Sequence, residues 1–179
     1  MIIRDARSDD AAEIAAIYAP YVERSAVSFE LDAPSGEEMR RRIEQTQKRY
    51  PFLVAEENGR IVGYAYLGEF HARAAYAHSA ETSLYVKEGM TNRGVGKAIY
   101  AALEEKARDA GIRNLYACVS YTEAVDEHLN RRSIDFHLRR GYRLVGIFRE
   151  CGLKFGKLYD MAYLEKIISS GFGMEKEKS

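Results

Sequence analysis

The sequence has no tryptophan, two cysteines and three prolines in 179 residues, and its 27 Lys and Arg are matched by 27 Asp and Glu. Each shortage removes a class of protein. The two cysteines, Cys118 and Cys151, stand in strand-like surroundings at a spacing that suits neither a disulfide framework nor a metal site, so they read as reduced thiols. A zero net charge lacks the overall basic bias of a nucleic-acid binder. The longest apolar runs, such as residues 14–19 and 52–55, fall far short of the ~20 residues that span a bilayer. The opening MIIRDARSDD carries acids where a signal peptide holds its apolar stretch, which points to the cytoplasm. Neither nucleic acid nor a membrane is expected as a partner.

What is present is an ordinary globular composition, 46% hydrophobic and 30% charged, at a length that fits one domain. Residues 1–168 are expected to form that domain, and the charged or small residues 169–179 to fray. Alternation and 3.6-residue periodicity give the order β-α-α-β-β-β-α-β-α-β-β. A first strand at 2–4 leads through Ser8-Asp9-Asp10 into a helix over 11–21, then a charged helix over 37–48. Strands 52–56 and 60–67 flank Glu57-Asn58-Gly59, an Asn-Gly hairpin signal. Strand 81–86, helix 95–110 and strand 113–120 make a βαβ unit. A polar excursion at 121–129 precedes a helix over 130–140, and two final strands, 142–150 and 154–163, are expected to meet at Gly152. The fold class is α/β: a mixed, mostly antiparallel central sheet with one central βαβ unit and flanking helices.

The most informative stretch is 83–103, SLYVKEGMTNRGVGKAIYAAL. A strand that empties through a glycine turn into a helix presents unpaired N–H groups and the positive end of the helix dipole, a seat for an anion. The turn lacks the Gly-Lys-Ser/Thr of a P-loop and the third glycine of a dinucleotide fold, so nucleotide hydrolysis and NAD binding are disfavoured. A cradle for a pyrophosphate that is not hydrolysed remains, alongside a plain structural turn.

Leu84-Tyr85-Val86, then Asn92-Arg93-Gly94-Val95-Gly96-Lys97-Ala98, and later Asn130-x-x-Ser133-x-x-Phe136-His137-x-x-x-Gly141-Tyr142 resemble the GCN5-related N-acetyltransferases, the GNAT family, over nearly the whole chain. The resemblance implies that those strand and turn residues bind acetyl-CoA as cosubstrate, with Asn130 and Ser133 as further cofactor contacts. Thr91 stands where the family usually has Gln or Arg. Ala72-Arg73-Ala74-Ala75-Tyr76 before Glu81-Thr82-Ser83, with Gly146-Ile147-Phe148 and Gly152-x-Lys154-Phe155-Gly156 before Asp160, are similar to the phosphinothricin and methionine-sulfoximine acetyltransferase branch. That branch acetylates the α-amino group of small amino-acid analogues.

Acetylating an amine requires the neutral amine, so a base must take a proton from an ammonium whose pKa lies at about 8–10. Glu81, on the strand leading to the turn, is the candidate, since burial at a sheet centre raises a carboxyl's pKa toward the useful range. The competing reading is an ordinary strand carboxylate. A backbone N–H near Val86 is the candidate donor to the reacting carbonyl oxygen. His137 occupies the place where many family members carry a tyrosine acid, and reads equally as a packing or capping residue. Arg73 is the candidate clamp for a substrate carboxylate, with Tyr76, Lys154 and Tyr159 completing the pocket. The spacing of His71 and His78 is weak as a metal site, so no metal is expected. The alternative acceptors are a polyamine, an aminoglycoside or a protein N-terminus, and the alternative role is a CoA-binding sensor without catalysis. A homodimer is expected from the exposed sheet edges.

Overall fold

A computed structural model of the chain describes residues 1–168; the expected frayed tail at 169–179 lies outside the described residues. Seven strands and four helices follow one another as β1 (Ile2–Asp5), α1 (Ala11–Glu23), α2 (Gly36–Gln47), β2 (Phe52–Glu57), β3 (Arg60–Glu69), β4 (Ser79–Val86), α3 (Val95–Asp109), β5 (Asn114–Tyr121), α4 (Arg132–Arg139), β6 (Arg143–Lys154) and β7 (Lys157–Ile167). They form a single 7-stranded sheet in the order β1-β2-β3-β4-β5-β7-β6. Every neighbouring pair is antiparallel except β4 and β5, which α3 connects as a parallel crossover.

Helices cover both faces of the first strands, which is why β2 reads Phe52-Leu53-Val54-Ala55 without polar alternation. Phe52, Val54 and Tyr64 pack under α1 and α2 with Ile14, Ile17, Tyr18, Met39 and Ile43. Leu53, Ala55, Ala65, Ala80, Leu115 and Leu164 pack under α3 with Ile99, Leu103 and Ala107. Truncating one of these fully buried leucines or isoleucines to alanine costs about 2–5 kcal/mol. The β2–β3 hairpin turns on Asn58 and Gly59 with φ of 53° and 74°, the left-handed pair that a two-residue hairpin needs.

The last hairpin corrects the sequence expectation. β6 and β7 meet at Phe155 and Gly156, with φ of 51° and 69°, and not at Gly152. Gly152 lies inside β6, where the register shifts between Phe148 and Gly152 and Glu150 takes a φ of 52°. A Cβ at Gly152 would stand 2.3 Å from the Phe29 ring, so this glycine serves close approach rather than a turn.

Candidate active site

The parallel pairing of β4 and β5 ends at Glu81 and Tyr116. Beyond it β4 runs on to Val86 beside β3 alone. The Lys87 N–H donates to Val62 C=O at 2.9 Å, and by strand alternation the backbone groups of Leu84 and Val86 turn away from β3 into the gap. The residue types partition with the same alternation. Thr82, Leu84 and Val86 point toward α3, whereas Glu81, Ser83 and Tyr85 point toward α1 and α2. One backbone pair in the gap is engaged: Tyr21 Oη donates to Val86 O at 2.5 Å and accepts from Val86 N at 3.4 Å.

At the far end of β4 the turn is open and built for an anion. Gly89, Asn92 and Gly94 take φ of 78°, 64° and 83°. Residues 91–94 are exposed, and the first turn of α3 holds no acidic side chain to compete with a phosphate. Gly94 is needed for its left-handed φ, Gly96 for packing: a Cβ at Gly96 would meet Leu84 at 3.2 Å and Phe136 at 3.4 Å. Arg93 lies 3.7 Å from Glu57 and remains more than half exposed, and Lys97 is exposed beside it. Open N–H groups, two cations and an unpaired strand edge fit a pyrophosphate carrying an extended amide arm.

Glu81 sits at the vertex of the gap. Burial pushes its carboxyl above the ordinary carboxylate value, while the Cys118 thiol and His71 pull it back down. On Glu81's face lie Tyr66 from β3, Cys118 from β5 and Tyr163 from β7. Burial pushes the Cys118 thiol up to about 12, so it stays protonated near neutral pH. Arg73 and Tyr76 lie in the connection between β3 and β4, where Phe70 stacks on Tyr116 at 4.0 Å and meets Tyr76 edge-on at 5.9 Å. Arg73 is exposed and makes no ion pair among the described residues.

Three predicted residues do not face this space. His137 is buried on the α3 side of the sheet, with Nδ1 against Ser133 O at 2.8 Å and Nε2 against Tyr100 Oη at 2.8 Å. Burial lowers its pKa, its Nδ1–H donates to the Ser133 carbonyl, and the Tyr100 hydroxyl beside Nε2 donates to Thr82 Oγ1 at 2.7 Å. Lys154 is buried with Nζ donating to Ser28 O at 2.6 Å, and Tyr159 is buried with its hydroxyl donating to Asp126 Oδ1 at 3.1 Å. Lys154 fastens the segment between α1 and α2 by its hydrogen bond, and the Tyr159 ring packs against Ala26, Val27 and Phe29 of the same segment. That strap is also held by Ser120 Oγ to Val27 O at 3.1 Å and by Ala26 N to His128 O at 2.9 Å. Asn130 precedes α4, its Oδ1 accepting from Arg132 N at 3.0 Å, and Ser133 lies in the first turn of α4.

Sequence reasoning missed Tyr21, Phe29 and Tyr163, and treated Cys118 as an inert thiol.

A family model for the acetyltransferase (GNAT) domain matches residues 3–163. The chain belongs to the GNAT acetyltransferases. Among the relatives of this GNAT chain is the phosphinothricin N-acetyltransferase of Alcaligenes faecalis, 31% identical over 94% of this chain and 83% of the relative. A second is the L-methionine sulfoximine/L-methionine sulfone acetyltransferase of Pseudomonas aeruginosa, 30% identical over 91% of this chain and 92% of the relative. The phosphinothricin acetyltransferase of Sinorhizobium meliloti, solved in complex with acetyl-CoA, superimposes with a TM-score of 0.84 at 30% identity, covering 93% of this chain and 87% of that one. An acetyltransferase of Salmonella typhimurium solved with its cofactor acetyl-CoA gives a TM-score of 0.88 at 26% identity, with 98% of each chain covered. The chain is thus an N-acetyltransferase by family, and no described helix is long and apolar enough to cross a membrane.

Proposed function

We propose that this GNAT enzyme transfers the acetyl group of acetyl-CoA to the amino group of a small zwitterion, an amino acid or an analogue of the phosphinothricin, methionine-sulfoximine or sulfone type, in a ternary complex with Glu81 as base. The observation that carries the reading is a half-buried carboxyl with a raised pKa at the point where β4 and β5 part. When bound, acetyl-CoA supplies a thioester and a stable thiolate leaving group. The chain's own residues supply the rest. Leu84 and Val86 offer backbone groups to the arm, and the 92–98 turn holds the pyrophosphate through its N–H groups, with Arg93 and Lys97 adding charge. Glu81 takes the ammonium proton, directly or through one water, and a carboxyl whose pKa lies above the ordinary value does so with less mismatch. The Val86 N–H donates to the reacting carbonyl oxygen once the Tyr21 hydroxyl has moved off it.

Direct transfer is favoured because the one thiol at the vertex, Cys118, stays protonated and is a poor nucleophile. His137 is assigned a positioning role, tying α4 to α3, because both ring nitrogens are already engaged. Arg73 is exposed in the connection whose His71 acts on Glu81 and is assigned the substrate carboxylate, with Tyr76 in the same connection. Lys154 and Tyr159 act on the acceptor site by holding the strap in place, Lys154 through Ser28 O and Tyr159 by packing on Ala26 and Phe29. Asn130 and Ser133 are assigned to the cofactor wall.

The edge strand β6 leaves Leu144, Val145, Phe148 and Leu153 exposed, which supports a homodimer paired there. The two free thiols suit a reducing cytoplasm. The deciding experiment is a CoA-release screen over amino acids, their sulfone and phosphinate analogues, polyamines and aminoglycosides. Turnover with a zwitterionic amino acid supports the reading; turnover confined to polyamines removes Arg73 as clamp, and acetyl-CoA binding without any turnover would leave a sensor.

A further inference from the structure

We propose that Cys118 is a positioning residue for Glu81, its thiol holding the carboxyl at the vertex of the gap while the Tyr163 hydroxyl holds the thiol from behind. The proposal rests on Glu81 being the base. The sheet produces the arrangement. Glu81 pairs with Tyr116 at the last rung of the β4–β5 ladder, so Cys118, two residues on, is the first β5 side chain on Glu81's face after the strands part. Tyr163 stands directly opposite Cys118 across the antiparallel β5–β7 ladder. Electrostatic coupling follows the same row, the Cys118 thiol acting on the Glu81 carboxyl on one side and the Tyr163 hydroxyl on the other.

A parting pair of strands strips backbone donors from the vertex, and a carboxyl there needs another partner to keep one oxygen fixed and the other turned to the amine. A thiol suits this task. It is small enough to sit between two strands, and it remains a donor across the working pH range because burial holds its proton on. The Tyr163 phenol opposite it on β7 is also held protonated and is placed to donate to the sulfur and so direct the S–H. The other titratable groups facing Glu81 among the described residues are Tyr66 from β3, His71 from the connection after it and Tyr116 opposite it on β5, and none lies on the Cys118–Tyr163 rung.

Removing the thiol donor raises the carboxyl's proton affinity, so the acidic limb of kcat/KM moves to higher pH. The test is the pH profile of kcat/KM for the wild type, Cys118→Ala, Cys118→Ser, Tyr163→Phe and Glu81→Gln, with KM for acetyl-CoA and thermal melts measured alongside. In Cys118→Ala the limb should rise by about 0.5–1 pH unit, with activity below the limb falling about 3- to 10-fold and the alkaline plateau retained. Cys118→Ser should restore the limb, Tyr163→Phe should move it part of the way, and KM for acetyl-CoA should stay constant. An unmoved limb in Cys118→Ala, or an equal loss at every pH, overturns the proposal while leaving the base intact, provided Glu81→Gln is inactive. Full activity in Glu81→Gln overturns the base itself. If Cys118→Ala fails to fold, the serine and Tyr163→Phe profiles decide, and wild-type limbs in both together with that loss reduce Cys118 to a core residue.

Discussion

The two sides of the gap between β4 and β5 are built from different materials. On the α3 side the site is backbone: Gly94 at a φ of 83°, the open first turn of α3, and the main-chain groups of Leu84 and Val86. The His137 ring on that side is buried and spent on Ser133 and Tyr100. On the α1 and α2 side the candidate site is side chains: Glu81 with Cys118, and a strap carrying Phe29 that Lys154 and Tyr159 hold, with Arg73 exposed in the connection before β4. Backbone cradles bind a fixed group, whereas side chains can be exchanged, so the proposed function separates cofactor and acceptor specificity by face.

That separation is broken hardest at Glu81. Glu81→Gln should lower kcat by about 100- to 10,000-fold while acetyl-CoA affinity, measured by calorimetry, holds. The same variant should melt higher than the wild type at neutral pH. A raised carboxyl pKa means that the folded state binds this proton more tightly than the unfolded one, so the charged form costs stability above that pKa. The advantage should shrink as pH falls through the shifted value toward 4.5, the ordinary value for the group.

Next in size, Arg73→Ala should raise the acceptor KM about 10- to 100-fold with kcat and acetyl-CoA binding little changed, the loss expected of a charge-assisted clamp. Steady-state kinetics with two concentration series would separate the terms. Gly152→Ala forces the Phe29 ring off β6, where 2.3 Å is left for a methyl group. It should cost about 1–3 kcal/mol in urea unfolding and raise the acceptor KM, again without touching acetyl-CoA affinity. The smallest catalytic effect is expected from His137→Gln, which breaks the Tyr100 contact. Its melting temperature should fall by about 2–4 °C for each kcal/mol lost while the acidic limb of kcat/KM stays in place. A limb that moved would return His137 to the chemistry.

The same contrast explains what was legible in the sequence. Gly94 and Gly96 could be read because a strand, a glycine turn and a helix are local, and local geometry fixes where their N–H groups point. The Asn58-Gly59 hairpin was legible for the same reason. Gly152 misled because a glycine between two strand patterns looks like a turn, while its actual cause, the Phe29 ring, lies more than 100 positions away in the chain. Lys154 and Tyr159 matched a substrate motif, yet they reach Ser28 and Asp126, contacts between segments that no periodicity encodes. Cys118 was read as an inert thiol because its neighbours, Glu81 and Tyr163, come from other strands.

The account stands most directly on the pH dependence of kcat/KM in the wild type beside Glu81→Gln. It predicts an acidic limb above the ordinary carboxylate value, with activity lost as pH falls through it, and a low profile without that limb in the variant. Wild-type turnover in Glu81→Gln with the limb unmoved would contradict it.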